Sequence, residues 1–270
     1  MQLASETVEA EGAAPARTAA FLHGVFGRGS NWRGFARKLV AARPSWRALL
    51  LDLRMHGESQ AFTPPHTLAR AAGDVRETLA AGPAASALIG HSLGGKIALL
   101  LRADPPADLE QIWVLDASPS ARAPDAADGT RGVLAALAEL PPRFPTRNEF
   151  AAELTRRGVH PALGPWLAKN LVHEPDGLRF ALDLAAIREL IADFDHTDLW
   201  PLIEAPAPAA LPLRVVVAGR SDAVSPSDRE RLAAAAARGA LELFELPDAG
   251  HWLHVDDPDG LLRLLLPHLV

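Results

Sequence analysis

Apolar residues along this chain follow two alternating patterns, short continuous runs and longer segments with helical spacing. The continuous runs indicate strands buried on both faces, and the helical segments indicate helices with one apolar side. The predicted strands lie at residues 3–10, 18–22, 48–53, 87–89, 112–115, 213–218 and 241–246, and the predicted core helices at 31–42, 67–81, 93–101 and 227–238. This alternation predicts an α/β fold with a doubly wound, mostly parallel sheet.

The pattern changes between residues 120 and 210, where the apolar runs lose their strand character and prolines cluster. Helical spacing appears there at 131–140, 148–157, 162–171 and 178–193. We therefore predict a helical cap at 120–210, inserted into an α/β core formed by 1–119 and 211–270. The large aromatic residues of this region would either line a substrate pocket or pack the cap onto the core; they are Trp166, Phe180, Phe194 and Trp200.

Composition narrows the classes of partner and chemistry. The 270 residues carry a net charge of −6, so no basic field is available to attract nucleic acid. The absence of cysteine excludes disulfides, thiolate metal sites and a cysteine nucleophile, and the absence of tyrosine excludes a tyrosine acid. The N-terminal segment lacks the basic start and apolar core of a signal peptide, and no apolar run is long enough to span a membrane. We expect a cytoplasmic protein that acts on a small molecule.

The stretch Gly90-His91-Ser92-Leu93-Gly94 lies where an apolar strand meets an apolar helix with almost no connecting residues. So tight a turn needs residues without bulk, and Gly90 and Gly94 supply them on either side of Ser92. The spacing is that of the G-x-S-x-G nucleophile elbow, which exposes the serine hydroxyl beside the free N–H groups of a helix start. The alternative is a glycine-flanked turn whose serine only caps the helix.

A second glycine-rich segment, His23 to Trp32, follows the predicted strand at 18–22. Its backbone must turn sharply or approach another group closely. We predict that the N–H of Val25 or Phe26 joins the N–H of Leu93 in an oxyanion hole. A plain surface loop is the alternative, and the segment matches neither phosphate-binding glycine pattern.

A serine nucleophile needs a histidine base, and the base needs a carboxylate partner. His251 follows the last predicted strand and is the candidate base, whereas His23, His56 and His91 all precede or adjoin Ser92. Two aspartates end strands after Ser92. Asp222 follows the next-to-last strand, the usual position of the acid in this chain order, and is preferred; Asp116 is the alternative. The loop that contains His56 is predicted to support its neighbours rather than to react.

From end to end the chain resembles the α/β-hydrolase superfamily, through HGVFGRGSNW, DLRMHGES, GHSLGGK, VLDASP and AGHWLHVDDP. Within it, these segments are most similar to a small bacterial and mitochondrial esterase and thioesterase branch. The resemblance implies hydrolysis of short-to-medium acyl esters or thioesters through an acyl-serine, with no cofactor and no metal. That branch commonly uses the position of Asp116 as its acid, so both aspartates remain candidates.

Two other functions use the same fold. One is a cofactor-free carbon–carbon lyase or synthase of the menaquinone pathway type, which HGVFG and GHSLGGK also resemble and in which the triad acts as a base on carbon. The other is a binding protein without catalysis, which the intact serine, acid and histidine disfavour. Fold alone does not separate these possibilities.

Overall fold

The computed structural model describes residues 1–122, 129–205 and 211–270. The strands are β1 (Ser5–Val8), β2 (Arg17–Leu22), β3 (Trp46–Leu51), β4 (Ala87–His91), β5 (Gln111–Leu115), β6 (Leu171–Glu174), β7 (Gly177–Phe180), β8 (Leu213–Ala218) and β9 (Glu242–Leu246). The helices are α1 (Arg33–Ala42), α2 (Leu68–Ala81), α3 (Leu93–Leu100), α4 (Gly129–Ala138), α5 (Arg147–Arg156), α6 (Leu163–Leu167), α7 (Leu184–His196), α8 (Trp200–Glu204), α9 (Pro226–Ala237), α10 (Leu253–Asp256) and α11 (Pro258–Leu265). Short 3₁₀ turns lie at Gly29–Trp32, Ala168–Asn170 and Leu266–His268.

Seven strands form one sheet in the order β1-β3-β2-β4-β5-β8-β9. Every pairing is parallel except that of β1 with β3. The five residues of β4 and of β5 are all buried, which explains their uninterrupted apolar character. The predicted α/β fold with a doubly wound, mostly parallel sheet is therefore confirmed.

The two faces of the sheet carry separate apolar layers. On one face, α1 and α11 pack over Phe21, Leu50 and Trp113. On the other face, α2, α3 and α9 pack over Leu22, Leu88 and Val114. Helices cover both faces of the sheet, so the loops at the carboxyl ends of the strands are free to form a site. Ligand sites of parallel sheets are usually found in these loops.

The chain between β5 and β8 contains a segment that we call the insert (residues 120–210), whose described residues, 120–122 and 129–205, add no strand to this sheet. In its described part it contains α4 to α8 and the antiparallel hairpin of β6 and β7. The hairpin occupies residues that sequence reasoning assigned to the ends of two helices, 162–171 and 178–193. That assignment was wrong at this point, because Pro175-Asp176-Gly177 forms a turn and Gly177 adopts a φ of 129°.

Candidate active site

Ser92 occupies a sharp turn between β4 and α3. Its φ of 53° and ψ of −114° are unfavourable for a residue with a side chain, so the surrounding packing must hold them. A Cβ on Gly90 would lie 2.1 Å from the carbonyl oxygen of Gly94, and one on Gly94 would lie 2.6 Å from that of Leu22. Only glycine fits at both positions. The tight strand-to-helix turn expected from these glycines is thus present.

His251 and Asp116 form a hydrogen-bonded pair beside this turn. The imidazole Nδ1 lies 2.7 Å from Asp116 Oδ2, and the other carboxylate oxygen accepts the N–H of Ala218 at 3.0 Å. Asp116 is fully buried, whereas His251 is partly exposed and borders the same cavity as Ser92. With Nδ1 bonded to the carboxylate, Nε2 is the imidazole nitrogen left to exchange a proton in the cavity.

Sheet register explains why Asp116 comes so near Ser92. His91 of β4 pairs with Leu115 of β5, so the next residue of each strand leaves the sheet at the same level. The N–H of Ser92 donates to the carbonyl oxygen of Leu115 at 3.0 Å, which joins the two strand ends directly.

Asp222 is not the partner of His251, and the sequence-based preference for it is corrected here. It lies on an exposed loop beyond β8 and borders the cavity without bonding to the imidazole. Arg229 fixes this loop by donating to the carbonyl oxygens of Ala218 and Ser221. The carboxylate that reaches His251 is that of Asp116, because β5 lies next to the serine strand whereas β8 lies one strand further away.

The glycine-rich loop after β2 lies against the serine, and a Cβ on Gly24 would be 3.3 Å from the Cβ of Ser92. Of the two expected oxyanion donors in this loop, Phe26 is excluded because its N–H donates to His56 Nε2 at 3.2 Å. Within the described ranges, the N–H groups of Val25 and Leu93 have no hydrogen-bond acceptor. Val25 therefore remains the candidate partner of Leu93.

Two buried histidines hold this loop in place. His23 donates from Nδ1 to the carbonyl oxygen of Gly24 and accepts the N–H of Leu53 at Nε2, while His56 donates to the carbonyl oxygen of Arg54. Burial lowers the pKa of His23 to about 4 and the pKa of His56 to about 3. Both rings are therefore neutral near pH 7, each with one nitrogen donating and the other accepting. The supporting role expected for the His56 loop matches these contacts.

Backbone strain is concentrated in the loops at the carboxyl ends of four strands. Four residues other than glycine have a positive φ in the described chain, namely Phe26, Met55, Ser92 and Asp116. Each lies in the segment that follows one of four adjacent strands, β2 to β5 in chain order. Such conformations cost on the order of 1–3 kcal/mol each and persist where surrounding contacts enforce them. The strained residues thus cluster at the carboxyl ends of the strands, where Ser92 and Asp116 lie.

His91, the residue before the serine, contacts the base. Its Nε2 donates to the main-chain carbonyl oxygen of His251 at 2.7 Å, and the two ring centroids are 4.6 Å apart. Burial keeps the pKa of His91 well below its ordinary value, so the ring is neutral. The rings of Trp32 and His254 also contact His91, and these two rings stack on each other with their centroids 4.1 Å apart. His91 thus links the serine turn to the histidine loop.

A cavity of about 710 Å³ opens over Ser92 and His251, within the 300–1,000 Å³ range common for small-molecule sites. Its polar lining residues include Ser118, Ser120, Arg122, Thr130, Asp222, Ser225, Ser227 and Asp228. Its apolar lining residues include Val25, Val133, Leu163, Trp166, Leu167 and Trp252, which we call the apolar wall. The cavity can therefore hold a molecule with an apolar chain and a polar end.

Of the four aromatic residues expected at a pocket or in packing, only Trp166 borders this cavity, and its ring lies 6.0 Å from that of Trp252. The others pack. Phe180 stacks on Phe150, Phe194 lies under the ammonium of Lys96, and buried Trp200 donates to the hydroxyl of Ser120.

Along residues 1–122, 129–205 and 211–270, no group of three or more histidine, aspartate or glutamate side chains could hold a metal ion. Over those residues, none of the helices has the length and apolar character that crossing a membrane requires.

A sequence profile of the Alpha/beta hydrolase family matches residues 20–264, nearly the whole chain. The chain belongs to this family. The matched range includes the serine turn, Asp116 and His251.

Similar proteins include several hydrolases of carboxylic esters. The sn-1-specific diacylglycerol lipase ABHD11 of Mus musculus is 27% identical over 247 residues, which cover 90% of this chain and 77% of that protein. Esterase YbfF of Escherichia coli (strain K12) is 28% identical over 250 residues, which cover 92% of this chain and 91% of that one. The predicted enzyme class, a carboxylic-ester hydrolase, is confirmed at this level.

One solved structure and one synthase are also similar to this chain. A solved structure described as a marine microorganism esterase superposes with a TM-score of 0.82 at 24% identity, covering 99% of both chains, which shows the same fold. A 2-succinyl-6-hydroxy-2,4-cyclohexadiene-1-carboxylate synthase of Klebsiella pneumoniae subsp. pneumoniae is 28% identical over 91% of this chain and 90% of its own. Proteins similar to this chain thus carry names that describe different reactions.

Sequence reasoning missed two residues of the site region. The contact of His91 with the His251 main chain had no signal beyond its place beside Ser92. Lys96 did have one, because it is the single charged residue in the otherwise apolar segment Leu93–Leu101, and its ammonium is buried. A lone cation among apolar residues requires a specific set of acceptors.

Proposed function

We propose that this alpha/beta hydrolase cleaves carboxylic esters or acyl thioesters of short-to-medium acyl chains through an acyl-serine intermediate. The observation that carries the proposal is the pairing of His251 with buried Asp116 at the edge of the cavity that Ser92 also borders. Serine, histidine and a carboxylate are the groups that nucleophilic acyl transfer requires.

In the first half of this mechanism, the hydroxyl oxygen of Ser92 attacks the acyl carbon while His251 Nε2 takes its proton. The carboxylate of Asp116 holds the imidazole in the required tautomer and stabilises the imidazolium. The N–H groups of Leu93 and Val25 stabilise the oxyanion of the tetrahedral intermediate. His251 then returns the proton to the leaving alcohol or thiol, and the acyl group remains on Ser92.

In the second half, a water molecule attacks the acyl-serine with His251 again as the base, and the carboxylic acid leaves. The apolar wall suits the acyl chain, because burial of each methylene contributes about 0.8 kcal/mol. Much of that wall comes from α4 and α6 of the insert, through Val133, Leu163, Trp166 and Leu167. We therefore assign the insert the role of a cap that shapes substrate choice.

A substrate panel tests this assignment. We expect p-nitrophenyl esters from acetate to decanoate to be hydrolysed, with kcat/KM rising with chain length and then falling once the chain exceeds the cavity. Matched acyl thioesters would show whether a thiol leaving group is accepted. The Ser92→Ala variant is the control and should lose activity by several orders of magnitude. Unchanged hydrolysis by that variant would refute the assignment.

A second candidate is the carbon–carbon lyase or synthase chemistry, supported by similarity to the Klebsiella synthase. In that reaction the same serine and histidine act as a base on carbon, and no acyl group is transferred to the protein. Consumption of the synthase substrate without a covalent Ser92 adduct, and without ester hydrolysis, would favour it. A catalytically silent binding protein would fail to react with a fluorophosphonate probe, whereas both the wild-type hydrolase and its Asp222→Asn variant should be labelled.

A further inference from the structure

Lys96 lies on α3, one turn after the serine, and its side chain is almost completely buried. Its Nζ donates three hydrogen bonds of 2.8 Å each, to the carbonyl oxygens of Ser120, Phe194 and Thr197. The face of the Phe194 ring lies 4.4 Å from the same nitrogen. All three protons of an ammonium therefore have a main-chain acceptor.

Burial makes this arrangement costly unless the contacts are specific. Burial is the main cause that lowers the pKa of Lys96 to about 8, with nearby Arg122 acting in the same direction. The carboxylates of Asp195, Asp198 and Asp228 oppose that shift from a distance. An apolar side chain of similar length would fill the space without a desolvation cost, so packing alone does not account for a lysine here.

The three acceptors lie on two segments of the insert that are far apart along the chain. Ser120 lies just after Asp116 and its strand, where the chain leaves the sheet. Phe194 lies in the last turn of α7 and Thr197 directly follows that helix, ahead of α8 and the return to β8. The carbonyl oxygens at a helix C-terminus are unpaired and carry partial negative charge, so a cation is favoured there.

Main-chain bonds already hold these two segments to each other. The N–H of Leu199 donates to the carbonyl oxygen of Pro119 at 2.8 Å, and the N–H of Arg122 donates to that of Asp195 at 2.7 Å. Neither bond involves α3. Lys96 thus bonds both of these segments to α3, the helix that follows Ser92.

We propose that Lys96 is a positioning residue that fixes the insert relative to the serine turn, and so sets how well the apolar wall of the cavity receives an acyl chain. The proposal rests on the proposed ester hydrolysis for its effect on substrates, but its effect on the insert does not depend on that activity. Without the ammonium, these two segments of the insert lose three charge-assisted hydrogen bonds to α3. The apolar wall then loses its fixed position, while Ser92, His251 and Asp116 keep theirs.

The kinetic test compares Lys96→Met with Arg102→Met, using p-nitrophenyl acetate and p-nitrophenyl octanoate. Arg102 is a matched control because it is also a buried cation, just past the end of α3. It donates to the carbonyl oxygens of Leu202, in α8 of the insert, and of Ala240, and none of these three residues borders the cavity. We expect Lys96→Met to raise KM for octanoate roughly tenfold and to leave kcat and KM for acetate within about twofold. Arg102→Met should leave kcat and KM for both esters within about twofold of the wild-type values. Equal effects on the two esters, or the same effect in both variants, would overturn the proposal.

Hydrogen exchange measured by mass spectrometry provides a readout that is independent of catalysis. The amides of residues 117–122 and 190–199 should exchange faster in Lys96→Met than in the wild type or in Arg102→Met, and the amides of β4 should not change. Unchanged exchange in those two segments would refute the positioning role even if no ester is hydrolysed. If Lys96→Met does not fold, Lys96→Gln, whose side-chain amide keeps two N–H donors but no charge, allows the same comparison with a smaller expected change.

Discussion

The Nδ1 of His251 lies 2.7 Å from the Oδ2 of Asp116, a carboxylate with no solvent exposure. Asp116 extends the strand next to that of the serine, whereas Asp222, the carboxylate that sequence order favoured, borders the cavity from an exposed loop. Asp116→Asn and Asp222→Asn are a matched pair of variants. Both remove a charge, but only Asp116→Asn alters the hydrogen bond to His251.

Asp116→Asn is expected to lower kcat by about 10³- to 10⁴-fold, because an amide in that position stabilises the wrong imidazole tautomer. Asp222→Asn should lower kcat by no more than about threefold, since no bond to His251 is lost. Steady-state kinetics with p-nitrophenyl butyrate measures both. A larger loss in Asp222→Asn than in Asp116→Asn would contradict the acid assignment.

His91→Phe is expected to lower kcat roughly tenfold with little change in KM, because it removes the donor to the His251 main chain but keeps an aromatic ring in the layer. His254→Phe is the control. It keeps the stack on Trp32, and Nδ1 of His254 has no hydrogen-bond partner in the described part of the chain. If both variants lost kcat equally, the contribution of His91 would be general packing rather than positioning of the base.

The protein is expected to lose stability between pH 6.5 and pH 4, because its buried histidines resist protonation. Burial lowers the pKa of His23 and of His254 to about 4 and that of His56 to about 3, from an ordinary value of 6.5. Below pH 6.5 the unfolded chain takes up these protons first, so the stabilisation present above pH 6.5 disappears as the pH falls through that window. By pH 5 each histidine should reduce the free energy of unfolding by on the order of 1–2 kcal/mol.

Urea unfolding at pH 7 and pH 5 measures this loss. The His254→Phe variant, which has one titrating group fewer, should lose less stability over the same interval than the wild type. A free energy of unfolding that is the same at both pH values would show that these rings do not remain neutral in the folded protein.

Much of the core could be predicted because local sequence determined it. The runs at Leu213–Ala218 and Gln111–Leu115 are strands since their residues are buried on both faces, and the strained turn at Ser92 is possible because Gly90 and Gly94 have no Cβ to clash with the backbone nearby. The placement of Ser92 and His251 around one cavity could be predicted on the same grounds, because each follows a strand whose carboxyl end lies at this side of the sheet.

The features that sequence reasoning missed depend on distant contacts. The choice of Asp116 over Asp222 depends on which strand neighbours β4, and apolar runs do not encode strand order. The N–H of Phe26 is engaged only because His56, from another loop, accepts it. The hairpin of β6 and β7 was taken for helix because its strands are four residues long, too short to show a clear alternation.

The central claim is that Ser92 becomes acylated during turnover. Rapid mixing with a p-nitrophenyl ester, acid quenching and intact-mass analysis should show a species heavier by one acyl group, and peptide mapping should locate that group on Ser92. The adduct should be absent in Ser92→Ala and should form far more slowly in His251→Ala. Steady ester hydrolysis with no acyl group on Ser92, or full activity in Ser92→Ala, would contradict the mechanism proposed for this protein.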